Sequence, residues 1–372
     1  MIKLENVTKI YPGQAEPAVE DLSLVVPDGE ICVLVGPSGC GKTTTMKMVN
    51  RLIEPTGGKI YVDERDVTEM DPIQLRRSIG YVIQEIGLFP HMTIAENIGT
   101  VPRLVGWEQA RIDRRVDELL GVMGMDAAEF RDRYPRELSG GQRQRIGVAR
   151  AMATDPRVML MDEPFGAIDP ITRDRLQNEF LRLQQKIHKT IIFVTHDINE
   201  AIKLGDKIAI LNVGGILEQY GSPSEILSDP KNAFVEDFVG ADRTLKQLNL
   251  VRVEEVMDKH PPLVTDTQSV REVKQFMEQE GLEYVYTVGP DRRFKGYVDV
   301  KDLEGEDGWV DELVKPAAVS IQMGTSLRDA LSELIASDYQ KTCVVDEQER
   351  VRGLIDLTMI QEALSTREGR ER

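Results

Sequence analysis

Gly36-Pro37-Ser38-Gly39-Cys40-Gly41-Lys42-Thr43 fits the pattern G-x-x-x-x-G-K-[ST], whose glycines let backbone N–H groups close on phosphate oxygens while the lysine supplies a point charge. The setting carries as much weight as the spelling. Ile31-Cys32-Val33-Leu34-Val35 before it is an unbroken apolar run of strand length, and Thr44 to Arg51 after it has helical composition without Gly or Pro. Strand, glycine loop and helix place a phosphate at a helix N-terminus, where unpaired N–H groups and the helix dipole favour an anion. About a hundred residues on, Leu138-Ser139-Gly140-Gly141-Gln142 precedes another helical stretch, Arg143 to Ala153. Ser139 is a good N-cap there, and with the glycine amides it forms a second anion-binding terminus. Two such termini need two phosphates, or one phosphate approached from two sides.

At 372 residues the chain is long enough for two or three domains, and 41% hydrophobic content suffices for proper cores. The net charge of −17 is shared: 28 basic against 36 acidic residues over 1–240, and 18 against 27 over 241–372. Both halves are acidic, which argues against a nucleic-acid binder, since phosphate neutralisation needs clustered Lys and Arg. Met1 to Asn6 has no apolar signal core, and no apolar run is long enough to cross a bilayer. Cys32, Cys40 and Cys343 read as reduced thiols, and His91, His188, His196 and His260 lack metal-ligand spacing.

Alternation in Ile2, Leu4 and Val7, and again in Leu22, Leu24 and Val26, predicts half-buried antiparallel strands. Tyr11, between them, reads either as an aromatic stacking on adenine or as an edge-strand tyrosine. Asp71-Pro72 opens a capped helix, and Ile79 to Val82 is a strand leading to Gln84. That amide either places its oxygen on magnesium or water, or is an ordinary polar exit residue. Thr93-Ile94-Ala95-Glu96 is a capping box opening a helical lobe over about 85–137. Val158 to Met161 predicts a buried strand ending in Asp162 and Glu163, where the turning chain can bring both carboxylates into one crevice. Asp162 suits a magnesium shell and Glu163 the polarisation of an attacking water. Asp169-Pro170 begins a helix with Leu176, Phe180, Leu183 and Ile187 on one face. Ile191 to Val194 is a further buried strand delivering His196 to the same crevice, and Asp197 to Glu200 caps the helix after it.

Together, Tyr11, the phosphate loop, Gln84, Leu138 to Gln142, Asp162-Glu163, Asp169 and His196 resemble the full set of the ATP-binding cassette ATPases over residues 1–240. The resemblance implies an α/β nucleotide-binding domain with a helical subdomain, binding ATP and Mg²⁺. It also implies a homodimer in which the Leu138 to Gln142 signature of one subunit covers ATP held by the phosphate loop of the other. It assigns Gly36, Pro37, Ser38, Gly39, Cys40, Gly41, Lys42, Thr43 and Thr44 to the phosphates, with Lys42 on the β- and γ-groups. Thr43, Gln84 and Asp162 go to magnesium, Glu163 to the water, and His196 to the γ-phosphate. Ser139, Gly141 and Gln142 act across the interface, and Asp169 connects the two sites. The lobe would receive the coupling helices of a membrane permease, placing the chain at the cytoplasmic face of the membrane.

From Ser269 the chain repeats itself at an offset of 57 residues: Ser269 aligns with Ser326, Val288 with Val345, Arg293 with Arg350, Gly296 with Gly353, and Asp299 with Asp356. These units, 253–305 and 306–366 after a linker at 241–252 and before a tail at 367–372, resemble tandem CBS domains. The resemblance implies either an adenine-nucleotide site, for which Asp299 and Asp302 keep the acid but not the hydroxyl after the strand glycine, or a purely dimer-forming module. A cassette followed by such a pair resembles the energising subunit of osmoprotectant importers, which work with an external substrate-binding protein. A soluble ATP switch or a nucleotide-sensing regulator is the competing reading.

Overall fold

The computed structural model describes residues 1–83, 87–166, 168–316, 319–337 and 340–369. Gln84 and the last residues of the tail lie outside them. The chain divides into two compact units, 1–240 and 241–372.

The first unit opens with β1 (Ile2–Lys9) and β2 (Val19–Val26), antiparallel as the alternation predicts, with Ile2 opposite Val26, Leu4 opposite Leu24 and Val7 opposite Leu22. Asn6, with φ of 49°, makes the irregularity that lets Ile2, Leu4 and Val7 all face the core despite their uneven spacing. Next come β3 (Ile31–Val35), α1 (Lys42–Val49), β4 (Gly57–Val62), β5 (Arg65–Asp66), α2 (Pro72–Ser78) and β6 (Ile79–Val82). The helical lobe follows as four short helices, α3 (Ile94–Ile98), α4 (Thr100–Leu104), α5 (Gln109–Val122) and α6 (Ala127–Phe130). The unit is completed by α7 (Gly140–Ala151), β7 (Val158–Asp162), α8 (Pro170–Ile187), β8 (Thr190–Val194), α9 (Ile198–Leu204), β9 (Lys207–Asn212), β10 (Ile216–Gly221), α10 (Pro223–Ser228) and α11 (Ala233–Val239).

The main sheet has the order β10-β9-β3-β8-β7-β6, parallel except for β10. Its central strands β3, β7 and β8 are buried at every position, as parallel strands covered on both faces must be. A second, antiparallel sheet, β2-β1-β4-β5, packs its apolar face into the same core, where Ile2, Leu22 and Ile60 meet Leu34, Met46 and Ile192.

The second unit starts at once. Residues 241–252 are not a linker: α12 (Arg243–Leu248) lies there, and Leu248 and Val251 are buried with Leu327, Leu334 and Ile360. Then come α13 (Val253–Val256), β11 (Leu263–Thr265), α14 (Val270–Glu280), β12 (Tyr284–Val288), β13 (Phe294–Asp299), β14 (Ile321–Gln322), α15 (Leu327–Ala336), β15 (Lys341–Val345), β16 (Val351–Asp356) and α16 (Leu357–Gly369). The 57-residue offset holds residue by residue, for β12 starts at 284 and β15 at 341, β13 at 294 and β16 at 351. Packing, however, exchanges the repeats' leading segments. Val253 and Met257 sit in the core of the second repeat, while Val310, Leu313 and Val314 sit in that of the first. Reciprocal backbone pairs record the exchange: Asp258 with Leu354, and Lys315 with Tyr297, each bond 2.9 Å. A Cβ on Gly296 would lie 2.0 Å from the Lys315 oxygen, and one on Gly353 2.6 Å from that of Asp258, which is why both strands carry glycine at this point.

Candidate functional site

The phosphate loop leaves β3 at the centre of the parallel sheet. Gly36, Gly39 and Gly41 all have positive φ, 153°, 82° and 90°. A Cβ on Gly36 would stand 2.1 Å from the Leu211 oxygen, and one on Gly41 2.5 Å from that of Ala18, so neighbouring backbone enforces glycine at both places. Pro37 and Ser38 form the open side of the loop with Gly39, and Cys40 is fully buried beneath it. Lys42, only 7% exposed, donates from Nζ to the oxygens of Gly36 (2.7 Å) and Pro37 (2.9 Å), holding its charge in the mouth of the loop. Tyr11 lies in the turn after β1, not on an edge strand, with its hydroxyl 3.4 Å from Thr44 Oγ1.

Strand register levels the neighbouring ends. Leu34 of β3 and Asp162 of β7 both stand opposite Val194 of β8. The residues that follow these strands therefore emerge side by side at the C-terminal edge, where open α/β sheets bind ligands. Asp162 is 5% exposed and accepts a hydrogen bond of 3.1 Å from Thr43 Oγ1. Burial pushes its carboxyl pKa up, and the neighbouring Glu163 charge adds to this against the Thr43 hydrogen bond. The next residue escapes strand alternation. Glu163 has φ of 45°, its N–H donates to the Val194 oxygen (3.0 Å), and its Oε1 lies 3.2 Å from His196 Nδ1. Adjacent carboxylates thus share one crevice, as their place at a strand end predicts, and within it they reach separate partners.

Thr43 and Asp162 fit a magnesium ion: a hydroxyl and a buried carboxylate are hard oxygen ligands, and Asp162 has no cation within ion-pair range among the described residues. Among those residues no group of three His, Cys, Asp or Glu is placed to hold a metal ion. Gln84, assigned to the same shell, lies outside the described residues.

The helix start at Ser139 is capped as expected. Ser139 Oγ accepts from Gln142 N (3.3 Å) and Gln142 Oε1 accepts from Ser139 N (2.9 Å), a complete capping box in front of α7. Ser139 and Gln142 therefore each cap the start of their own helix. Gly141 faces Thr172 and Leu176 of α8, not the phosphate loop. Asp169, the cap of α8, accepts from Thr172 N (3.0 Å), and that backbone hydrogen bond lowers its pKa.

Sequence reasoning missed one set of residues. Glu200 was expected at the cap of α9, but Asp197 alone does that work, accepting from Asn199 N at 2.8 Å. Glu200 turns inward, 8% exposed, and accepts from Gln177 Nε2 of α8 at 2.9 Å. The one available signal was a glutamate four residues beyond His196, next to Ala201 and Ile202 in a short helix.

In the second unit Asp299 Oδ1 accepts from Lys301 N (3.0 Å), Asp302 pairs with Lys315 (2.5 Å), and Asp356 Oδ1 accepts from Met359 N (2.7 Å). These acids are thus engaged in capping turns and in holding the exchanged segment.

A family profile described as ABC transporter matches residues 19–166, and CBS domain profiles match 253–305 and 310–366. The chain is 46% identical over 370 residues to the osmoprotectant import ATP-binding protein OsmV of Salmonella typhimurium, covering 98% of this chain and 97% of that one. It is 47% identical to the choline transport ATP-binding protein OpuBA of Bacillus subtilis, with 95% and 94% covered. Among solved structures it resembles the dimeric structure of MJ0796, a bacterial ABC transporter cassette, at 34% identity and a TM-score of 0.55, covering 60% of this chain and 99% of that one. A similar match, 33% identical with a TM-score of 0.54 and the same coverage, is the post-hydrolysis state of that cassette bound to ADP and Pi. With the phosphate loop, both carboxylates and the signature helix in place, and with relatives matched nearly end to end, the chain belongs to the ABC transporter ATP-binding proteins that carry a C-terminal pair of CBS domains.

Proposed function

We propose that this chain is the ATP-hydrolysing subunit of an importer for quaternary-amine osmoprotectants such as glycine betaine, carnitine or choline, acting as a pair of identical copies on a separate membrane permease fed by an external substrate-binding protein. The observation that carries the chemistry is the levelled edge of β3, β8 and β7, which gathers Lys42, Thr43, Asp162, Glu163 and His196. The relatives named for osmoprotectant and choline transport, which match across both units, support the importer reading over a soluble ATP switch. Among the described residues no helix is long and apolar enough to cross a membrane, consistent with a peripheral subunit.

ATP lies with its phosphates on the Gly36–Thr43 loop, Lys42 on the β- and γ-groups and Tyr11 against the adenine. Thr43 and Asp162, with Gln84, hold magnesium, which supplies charge neutralisation at the phosphates when bound. Glu163 accepts a proton from the attacking water, and His196, held against Glu163 by the 3.2 Å contact, faces the γ-phosphate. Ser139 and Gly141 approach the nucleotide of the other copy. This agrees with Gly141 packing on α8 and with the cassette relative being dimeric. Asp169 lies between the two nucleotides, and the lobe of α3 to α6 receives the permease. The CBS pair regulates as a packing module; the engagement of Asp299 and Asp302 within the unit favours this over an adenine-nucleotide site.

Glu163→Gln tests the assignment. The variant is expected to lose nearly all turnover and to accumulate as an ATP-held dimer, measured by phosphate release and by light scattering with and without ATP. Hydrolysis at the normal rate would remove Glu163 from the role of base.

A further inference from the structure

Beneath His196 lies a buried polar cluster to which no step above gives work. Glu200, Gln177 and Thr195 are 8%, 5% and 2% exposed. Gln177 Nε2 donates to Glu200 Oε1 (2.9 Å), and the Thr195 hydroxyl, lining the same cleft, favours the charged carboxylate against the burial that raises its pKa. Thr195 Oγ1 in turn accepts from Asp197 N (3.1 Å), so one side chain grips the backbone on both sides of His196. Arg173, one turn before Gln177 on α8, places its charge near Glu200 and donates from Nη2 to the Ile168 oxygen (2.9 Å), beside Asp169. Its Nε is buried without a partner. Glu163, Gly166, Arg173, Thr195, His196, Asp197 and Glu200 line one small cleft.

A buried carboxylate is costly unless its lone pairs are satisfied. Here the satisfying groups come from two places that the proposed reaction must coordinate, the turn that carries His196 and the helix that Asp169 caps. We propose that Glu200 is a positioning residue for ATP hydrolysis, fixing the His196 turn through Thr195 and locking that turn to α8 through Gln177 and Arg173. The inference rests on the ATPase reading. Its physical content is that an amide at position 200 weakens the lock, because a neutral oxygen accepts from Gln177 Nε2 less strongly than a carboxylate does and carries no charge for Arg173. The turn then loosens, and His196 drifts from Glu163.

The test uses the full chain and three forms: wild type, Glu200→Gln, and the exchanged pair Gln177→Glu with Glu200→Gln, which returns a carboxylate and an amide to the contact with their helices swapped. Steady-state ATPase kinetics are read alongside the His196 ring ¹³C–¹H signal in the nucleotide-free protein, assigned by its loss in His196→Ala. The expected result for Glu200→Gln is a fall in kcat of about tenfold or more with KM for ATP within about twofold, together with a displaced His196 signal. The exchanged pair restores both. An unmoved His196 signal in Glu200→Gln, a kcat equal to that of an active wild type, or an exchanged pair that restores neither readout overturns the proposal. A wild type that does not hydrolyse ATP, with a ring signal that still shifts and returns, overturns the ATPase reading while supporting the positioning role.

Discussion

Asp162 shows how a functional residue is held at a cost to the fold. Its carboxylate is almost fully covered, its hydrogen bond to Thr43 compensates only in part, and its pKa is raised above the ordinary value. A carboxyl whose pKa is raised on folding binds its proton more tightly in the native state, so stability falls as pH climbs from the unfolded value, about 3.9 for Asp, through the folded one. Glu200, raised by burial as well, contributes with the same sign. Asp162→Asn is therefore expected to stabilise the nucleotide-free first unit by about 1 kcal/mol near neutral pH, about 3 °C in melting midpoint, and to flatten its pH dependence above pH 4, while abolishing magnesium-dependent hydrolysis. Calorimetry across pH, with the wild type as reference, checks this; an equal or lower midpoint counts against it. That two adjacent carboxylates close a strand was legible in the sequence. The φ of 45° at Glu163, which sends them to different partners, was not, because local sequence does not reveal which strand's oxygen its N–H will meet.

Among the elements, the helix starts were the most legible, because a cap is a local event. Asp71, Thr93, Ser139 and Asp169 all accept the backbone N–H that their positions predict, and the repeat pair Ser269 and Ser326 cap matching helices in the same way. The helical lobe was legible as a lobe but not as four short helices. What fixes its entry is Asn97, fully buried, whose side chain bonds Phe89 twice and also the oxygens of Met92 and Thr93. The CBS repeats show the opposite case. The glycines at 296 and 353 were visible as a repeating pair, yet their reason lies in the backbone of the exchanged segments, Lys315 for Gly296 and Asp258 for Gly353. Gly296→Ala is expected to destabilise the second unit by about 3 kcal/mol, since its Cβ would lie 2.0 Å from backbone that cannot yield without breaking the Tyr297–Lys315 pair. Urea unfolding followed by Trp309 fluorescence measures it, and a change under about 1 kcal/mol would show that the exchanged segment moves freely.

At the scale of the whole molecule, the boundary after Gly240 predicts that the first unit is separable there and not twelve residues later. A chain ending at Gly240 is expected to fold and to hydrolyse ATP. One ending at Arg252 retains Leu248 and Val251, 1% and 4% exposed in the second unit's core, without anything to cover them, and is expected to aggregate more readily. Size-exclusion profiles and ATPase rates of the two compare directly. Equal solubility would show that α12 does not depend on the second unit, and failure of the shorter chain to fold would show that the first unit needs more than its own core.

Sequence by itself determined the phosphate loop, the buried strands, the caps and the 57-residue repeat, since each depends on residues within a few positions of one another or on their recurrence. Tertiary structure alone decided which strand ends stand level, which of two neighbouring carboxylates meets Thr43 and which His196, where Glu200 points, and that the repeats trade their leading segments. Those outcomes depend on residues brought together from 18 positions apart, as Tyr297 and Lys315 are, to more than 150, as when Ile31 pairs with Ile191. Such contacts are selected by the burial of whole strands, a long-range sum that no single window of sequence contains.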